Sequence, residues 1–117
     1  MNIKIYGIPN CDTIKKTMVW LKENKIDFQF HNYKTDGISK EKLADWSKRV
    51  GWETIFNKKS TTWRELPTAE QEKILNANTA IQLMINNSSI IKRPVVEKNG
   101  EIILVGFDKN KFAEKLL

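Results

Sequence analysis

The sequence predicts one mixed α/β domain over residues 1–117, with strands near both ends and helices between them. Three observations support this fold class. The N-terminal part has the order strand, helix, strand, which is typical of a parallel βαβ unit. The middle carries apolar residues at helical spacing, and the C-terminal part has two alternating segments around an Asn-Gly turn. The length agrees, because domains commonly have about 100–150 residues.

The N-terminal unit begins with a predicted strand at residues 2–6, where polar and apolar residues alternate. A glycine and a proline end this strand, and a loop leads to Cys11. Residues 12–24 place apolar side chains at helical spacing among Lys and Glu, which predicts an amphipathic helix. Residues 26–31 alternate again and predict a second strand. We therefore expect Cys11 at a junction between a strand, a loop and a helix.

The middle of the chain is predicted to be mostly helical. Ser39 is placed to cap a helix that runs to Val50. Residues 52–67 form an irregular stretch with a polar loop or short helix, the kind of segment in which functional residues are common. Two further helical stretches are predicted at 67–75 and 79–85.

The C-terminal part is predicted to be a β-hairpin followed by a helix. Residues 94–98 and 101–105 flank Asn99-Gly100, which supplies the positive φ angles that a two-residue connection needs. Asp108 leads into a short helix with apolar residues four apart. With the two N-terminal strands, this hairpin gives a four-stranded sheet.

Composition and charge exclude several classes of protein. Apolar residues make up 40% and charged residues 29%, which is ordinary for a globular domain and unlike a disordered chain. No apolar run approaches the roughly 18 residues of a membrane span, and the polar start lacks the apolar core of a secretory signal. We expect a cytoplasmic protein without membrane association, and a single cysteine agrees with a reducing compartment.

The formal charge of +6 raises the question of a nucleic-acid partner. The basic residues occur only as short pairs spread along the chain, with acidic residues between most of them. This distribution favours a solvated surface, or an anionic small molecule or protein as partner, over nucleic acid.

Cys11 is the candidate nucleophile. A thiol at the first turn of a helix faces unpaired N–H groups and the positive end of the helix dipole, and such placement can lower a cysteine pKa from about 8.5 to roughly 3.5–7.5. Lys15 adds positive charge one turn along, whereas Asp12 opposes it. Ile14 stands where dithiol redox proteins carry a second cysteine, so an outside thiol must resolve any mixed disulfide. A buried structural cysteine is the competing interpretation, and Asn10 is either a helix cap or a substrate contact.

Three motifs occur in the order Ile5-Tyr6-Gly7-Ile8-Pro9-Asn10-Cys11-Asp12-Thr13, Thr61-Thr62-Trp63-Arg64 and Ile91-Lys92-Arg93-Pro94-Val95. With this order and spacing the sequence resembles the arsenate-reductase-like (ArsC/Spx) family, and within it the small YffB-type branch. The resemblance covers nearly the whole chain. It implies a thioredoxin-like fold with a helical insertion and a mixed four-stranded sheet, with a thiol on the first loop and basic residues converging on it.

The resemblance also implies roles for individual residues. Cys11 matches the family's nucleophile, and Arg93 matches an arginine that holds an oxyanion near the sulfur. Arg64 belongs to the motif of the small branch and is expected to bind substrate, although Lys58 lies nearer the position of an arginine in the arsenate reductases and is the alternative. A surface ion pair is the competing interpretation for Arg64. Pro94 matches a proline that faces the thiol and is cis in this fold.

Two departures from the arsenate reductases argue against arsenate as the substrate. Those enzymes carry a histidine four residues before the cysteine, where this chain has Gly7, and an arginine near the end of the last strand, where it has residues 104–107 without a cation. His31, the only histidine, is expected at an exposed strand position and not as a base.

The expected function is that of a thiol-dependent, glutathione-linked reductase that acts through Cys11. We expect a monomer with no bound cofactor or metal, glutathione as co-substrate, and glutathione or glutaredoxin as the resolving partner. The substrate would be a small oxidised compound or a protein disulfide. Expected contacts to substrate or anion are Arg64, Arg93, Lys15, Pro94 and Asn10. The alternatives are an arsenate reductase and a Spx-like regulator that binds RNA polymerase without catalysis.

Overall fold

The computed structural model describes residues 1–117, which form two compact units. Met1–Asp36 and Arg93–Leu117 make the first unit, and Gly37–Lys92 makes the second, so the second is an insertion in the sequence of the first. No helix combines the length and the apolar character that a membrane span requires. The expectation of a single domain over the whole chain stays a prediction.

The chain contains four strands and eight α-helices. The strands are β1 (Ile3–Gly7), β2 (Gln29–Asn32), β3 (Val95–Lys98) and β4 (Glu101–Val105). The helices are α1 (Asp12–Glu23), α2 (Tyr33–Asp36), α3 (Lys40–Val50), α4 (Trp52–Ile55), α5 (Thr61–Arg64), α6 (Thr68–Gln71), α7 (Ala77–Asn86) and α8 (Lys109–Leu116). A 3-10 turn at Ser88–Ile90 follows α7.

The sheet of the first unit has the order β2-β1-β3-β4. β1 pairs in parallel with β2 and antiparallel with β3, and β3 pairs antiparallel with β4. This confirms the predicted mixed four-stranded sheet and its βαβ start. The β3–β4 turn has positive φ at both Asn99 (52°) and Gly100 (85°), as the Asn-Gly pair predicts.

The second strand starts later than predicted. It begins at Gln29, whereas the alternation of the sequence starts at residue 26. The end of α1 explains the difference, because Lys25 has a φ of 55° and the N–H of Ile26 donates to the carbonyl of Leu21 at 2.9 Å. Ile26 is therefore held by the closing turn of the helix, and its side chain is buried without joining the sheet.

One face of the sheet forms the apolar core of the first unit. Strand residues alternate between the two faces, so Ile3 and Ile5 of β1 point to this face and Lys4 and Tyr6 to the other. Strands β3 and β4, the helices α1 and α8 and the turn after α1 contribute the rest of the core, whose buried members are Ile3, Ile5, Leu21, Ile26, Val96, Leu104, Phe112 and Leu116. This packing fixes α1, and with it the thiol at its first turn, against the sheet.

The second unit is helical, as the predicted insertion requires. The Ser39 hydroxyl accepts a hydrogen bond from the N–H of Lys42 at 3.1 Å and caps α3, which ends at Gly51 with a φ of 88°. The irregular stretch at residues 52–67 contains the single-turn helices α4 and α5.

Two helical predictions in the second unit need correction. The stretch at 67–75 is helical only in α6, because Lys73 and Ile74 already form i→i−3 bonds to Glu70 and Gln71. The next helix, α7, starts at Ala77, two residues earlier than predicted, because Asn76 and Thr79 form a reciprocal capping box.

Candidate functional site

Cys11 occupies the N-cap position of α1. Its backbone is extended, with φ −124° and ψ 128°, and its carbonyl accepts the first helical hydrogen bond from the N–H of Lys15 at 3.0 Å. Asn10 lies one residue earlier, in an exposed turn, so the interpretation of Asn10 as the helix cap is wrong. Because no side chain caps this helix, its first N–H groups face the thiol.

Arg93 lies beside the thiol. Its Nε donates a hydrogen bond to Cys11 Sγ, with 3.4 Å between the two atoms, although 82 residues separate them in sequence. Partial burial raises the pKa of the thiol. The hydrogen bond from Arg93, the N–H groups of Ile14 and Thr13 and the positive charge of Arg93 outweigh that effect, so the pKa lies below the ordinary value of a cysteine.

Arg93 is positioned by the residues that begin β3. The Arg93–Pro94 peptide bond is cis, in agreement with the resemblance. Pro94 is buried, and its carbonyl accepts a hydrogen bond from the N–H of Gly106 at 2.8 Å, which ties the start of β3 to the end of β4. The hairpin thus brings the guanidinium to the first turn of α1.

Gly7, at the end of β1, leaves no room for a side chain. A Cβ at this position would collide with Ile14 Cδ1 and would lie 2.9 Å from Ile14 Cγ1 and 3.6 Å from the Cβ of Arg93. Ile14 is fully buried, so it has little freedom to move away. The space that a histidine would need at this point of the chain is therefore filled by Ile14.

The opposite face of the sheet carries a buried polar cluster that the sequence analysis missed. The hydroxyl of Tyr6 donates a hydrogen bond of 2.6 Å to Oε1 of Glu97, whose side chain is only 3% exposed. The hydroxyl of Tyr33 is buried without a hydrogen-bond partner. Burial raises the pKa of Tyr33, Tyr6 and Glu97 raise it further, and the positive charge of Arg93 acts in the opposite direction.

His31 belongs to this cluster and not to the solvent-exposed surface. It is half-buried, and its ring lies 4.8 Å from the ring of Tyr6 and 6.2 Å from that of Tyr33. The expectation of an exposed position is wrong, because the rings of Tyr6 on β1 and Tyr33 on α2 pack against the His31 ring. Only a weak indication of the buried polar cluster is present in the sequence, namely the single acidic residue Glu97 within the otherwise apolar start of the last hairpin.

Lys15 lies on the exposed side of α1, one turn from Cys11. It is not among the groups that shift the pKa of the thiol. The lysine instead borders a groove that it shares with Trp20 of α1 and with Phe107 and Lys109 of the β4–α8 segment. Electrostatic support of the thiolate therefore comes from Arg93.

Arg64 and Lys58 both lie in the second unit. Arg64 ends α5, which is capped by the Ser60 hydroxyl through a 3.1 Å hydrogen bond from the N–H of Trp63. The side chain of Arg64 is exposed. Glu70, one of the two acidic residues near Arg64 in sequence, pairs with Lys73 at 3.1 Å. The choice between Arg64 and Lys58 as a substrate contact stays a prediction.

Fold and site together define a thioredoxin-like protein with one activated thiol at the first turn of a helix. The ArsC family model matches residues 6–115, and the chain belongs to the ArsC family. This confirms the resemblance drawn from the three sequence motifs.

Solved structures and a curated relative agree. The chain is 43% identical to a YffB protein, with 98% of this chain and 99% of that one covered and a TM-score of 0.91. It is 40% identical to an arsenate reductase (ArsC) related protein from Brucella melitensis, with 98% and 94% covered and a TM-score of 0.78. The global transcriptional regulator Spx of Streptococcus pyogenes serotype M3 is 25% identical over 111 residues, which are 93% of this chain and 81% of that protein.

Proposed function

We propose that this protein is a thiol-dependent reductase in which Cys11 is the nucleophile and glutathione is the resolving thiol. The observation that carries the proposal is the 3.4 Å contact between Arg93 Nε and Cys11 Sγ, at a helix start where the thiol pKa is lowered. A lowered pKa increases the fraction of thiolate, which is the reactive form, at neutral pH. The chain holds no second cysteine, so release of the product requires a thiol from another molecule.

The reaction has two exchange steps. In the first, the Cys11 thiolate attacks the glutathione sulfur of a mixed disulfide, so that a Cys11–glutathione disulfide forms and the substrate sulfur leaves as a thiolate that takes a proton from water. In the second, the thiolate of a free glutathione attacks the glutathione sulfur held on Cys11. Oxidised glutathione leaves, and the Cys11 thiolate returns. Arg93 stabilises that thiolate in both steps, because its guanidinium keeps its charge at any physiological pH.

Glutathione suits the charged groups expected around the thiol. Its two carboxylates need cationic partners, which we assign to Arg93, Arg64 and Lys15, and its peptide backbone would pair beside Pro94 and Asn10. A hydrogen bond to a charged group contributes about 1.5–3 kcal/mol, so Arg64→Ala or Arg93→Ala should weaken binding about tenfold to a hundredfold.

An NMR titration with reduced glutathione measures this binding. The matched control is Arg49→Ala, which removes an exposed arginine that pairs with Asp45 on α3. The control should bind like the wild type. An absence of shifts around Cys11 at millimolar glutathione would overturn the glutathione-linked proposal and favour a protein disulfide or glutaredoxin as the partner.

Turnover tests the reductase itself. A glutathionylated peptide is incubated with glutathione, and the release of oxidised glutathione is followed for the wild type and for Cys11→Ser. We expect the variant to be inactive, because serine cannot form the mixed disulfide. Turnover that survives in Cys11→Ser would contradict the proposal.

Arsenate reduction is the first alternative, and a relative described as arsenate reductase related favours it. We expect weak activity or none, because β4 is followed by Gly106 and Phe107 without an anion-binding group, and Gly7 has no space for a histidine. Efficient reduction of arsenate that is abolished by Cys11→Ser would show that the remaining cations suffice.

Regulation of transcription is the second alternative, favoured by the similarity to Spx. Ile14 argues against a redox switch of the C-x-x-C type, because it replaces the second cysteine. Affinity capture from lysate with the wild-type protein distinguishes the regulator from the reductase. Stable recovery of RNA polymerase, combined with no thiol turnover, would replace the reductase proposal.

A further inference from the structure

A groove runs beside α1 in the first unit, outside the contacts of the thiol with Arg93. Its floor consists of Val19, Trp20 and Phe107, and we name it the α1 groove. Its volume is about 760 Å³, within the range of roughly 300–1,000 Å³ that is common for binding clefts. Val19 is 53% exposed, so its side chain is accessible at the surface of α1.

Aromatic packing holds the floor in place. The rings of Trp20 and Phe107 both pack edge-on against the buried ring of Phe112, with centroid distances of 5.4 Å and 4.9 Å. Such contacts restrict both side chains. Two of the three floor residues of the α1 groove are therefore held by packing against the core.

The rim of the α1 groove is cationic. Lys15, Lys16 and Lys109 border it, and none of the three has an ion-pair partner in the structure. Two acidic residues, Glu23 and Asp108, also line the groove. Asp108 is engaged in capping α8, where its Oδ1 accepts hydrogen bonds from two backbone N–H groups, so three lysines face one remaining carboxylate, that of Glu23. An apolar floor inside a rim of unpaired lysines fits an apolar side chain that is flanked by carboxylates.

The distance from the thiol limits what can occupy the groove during the reaction. The α1 residues that line it run from Lys15 to Glu23. At about 1.5 Å of rise per residue, this stretch begins about 6 Å and ends about 18 Å from Cys11 along the helix axis. An extended peptide advances about 3.3 Å per residue, so residues about two to five positions from a cysteine whose disulfide reacts at Cys11 can reach the groove.

We infer that the α1 groove docks a protein substrate whose glutathionylated cysteine lies two to five residues from an aromatic or large aliphatic side chain with acidic neighbours. This inference rests on the proposed reductase function and adds the substrate class to it. Glutathione has no apolar side chain for the floor, whereas a protein segment has both required features. The apolar side chain packs on Val19, Trp20 and Phe107, and the carboxylates of the protein segment pair with Lys16 and Lys109, since Lys15 is assigned to glutathione.

Two glutathionylated peptides of the same composition test the inference. One carries Glu-Phe-Glu about three residues from the cysteine, and the other carries it about ten residues away, beyond the reach of the groove. We expect kcat/KM for release of oxidised glutathione to be about tenfold higher for the first peptide, because burial of one phenylalanine is worth at least that factor.

A surface substitution gives the matched comparison. Val19→Glu places a carboxylate on the floor of the groove, whereas Leu75→Glu changes an apolar residue that is 78% exposed and lies outside it. The ratio of kcat/KM between the two peptides should fall close to one in Val19→Glu and should keep its wild-type value in Leu75→Glu. Equal turnover of both peptides by the wild type would overturn the docking inference and leave the reductase standing.

Binding of a peptide that cannot react tests docking in the α1 groove separately from the reductase reaction at Cys11. The first peptide with serine in place of its cysteine cannot react, and an NMR titration with it should shift the signals of Val19, Trp20 and Phe107. Shifts at these residues would support docking even if neither glutathionylated peptide turned over, a result that would refute the reductase proposal alone. Absence of shifts at millimolar peptide would refute docking.

Discussion

Replacing Arg93 by glutamine should raise the pKa of Cys11 by about one unit. The substitution removes the 3.4 Å hydrogen bond from Nε to Sγ and also the charge that stabilises the thiolate. A hydrogen bond to a charged group contributes about 1.5–3 kcal/mol, and one pKa unit corresponds to about 1.36 kcal/mol. Because the thiol is partly exposed and solvent screens the pair, we expect the lower end of that range.

The rate of alkylation by iodoacetamide as a function of pH measures this pKa directly. At a pH about one unit below the wild-type pKa, Arg93→Gln should react close to tenfold more slowly, since its thiolate fraction falls by nearly that factor. At a pH above both pKa values, the rates should converge. Arg93→Lys should fall between them, because lysine keeps the charge and loses the planar donor group.

Arg49→Gln is the control for net charge, because it removes the same charge from the surface of α3, where Arg49 pairs with Asp45 at 3.0 Å. Its alkylation profile should match the wild type. An unchanged pKa in Arg93→Gln would refute the assignment of the shift to Arg93. An equal rise in Arg49→Gln would show that long-range charge, and not the contact at the sulfur, sets the reactivity.

Three further predictions concern stability, measured by urea unfolding. Gly7→Ala should destabilise the fold by about 1–3 kcal/mol. Adding Ile14→Val, which removes the colliding Cδ1, should recover part of that loss. If the free-energy costs of the two substitutions simply add in the double variant, the steric explanation is wrong. Tyr6→Phe should lower the free energy of unfolding by about 1.5–3 kcal/mol, because it removes the donor to the buried carboxylate of Glu97. Tyr33→Phe removes a hydroxyl without a partner and should lower it little. Equal losses in the two variants would contradict the importance of the Tyr6–Glu97 hydrogen bond. The pKa of Cys11 is lower in the folded than in the unfolded protein, so the thiolate stabilises the fold at high pH. The free energy of unfolding of the wild type minus that of Cys11→Ser should therefore rise as pH increases from the native pKa to about 9. A difference that does not change with pH would contradict the lowered pKa.

Local patterns in the sequence predicted the elements that place the thiol. The helix after Cys11 and the hairpin at Asn99-Gly100 both follow from short-range rules, namely apolar periodicity and the φ angles of a two-residue turn. The start of β2 was predicted too early because Ile26 fits both a strand alternation and the close of a helix. The end of the preceding helix determines where the strand starts, and the alternation of polar and apolar residues does not reveal where that helix ends.

The surroundings of the thiol could be predicted less well. Residue types near Cys11 offered only Lys15, opposed by Asp12, as a local charge on the thiolate, whereas the structure brings in Arg93 from 82 residues away. That contact depends on the pairing of β1 with β3, a long-range property that periodicity does not encode, and only the resemblance to the family implied it. Glu97 was missed for a related reason, since an acidic residue in a short strand is expected to face solvent.

Ile14 links the activation of the thiol to the need for an outside partner. Its backbone N–H is one of the groups that lower the pKa of Cys11, and this contribution would persist with any side chain at the position. Its side chain fills the space above Gly7 and stands where a resolving cysteine would be. The same residue therefore supports the nucleophile through its backbone and prevents internal resolution through its side chain. In the proposed reaction, a mixed disulfide on Cys11 therefore persists until an external thiol attacks it, and the concentration of that thiol sets how long the protein stays modified.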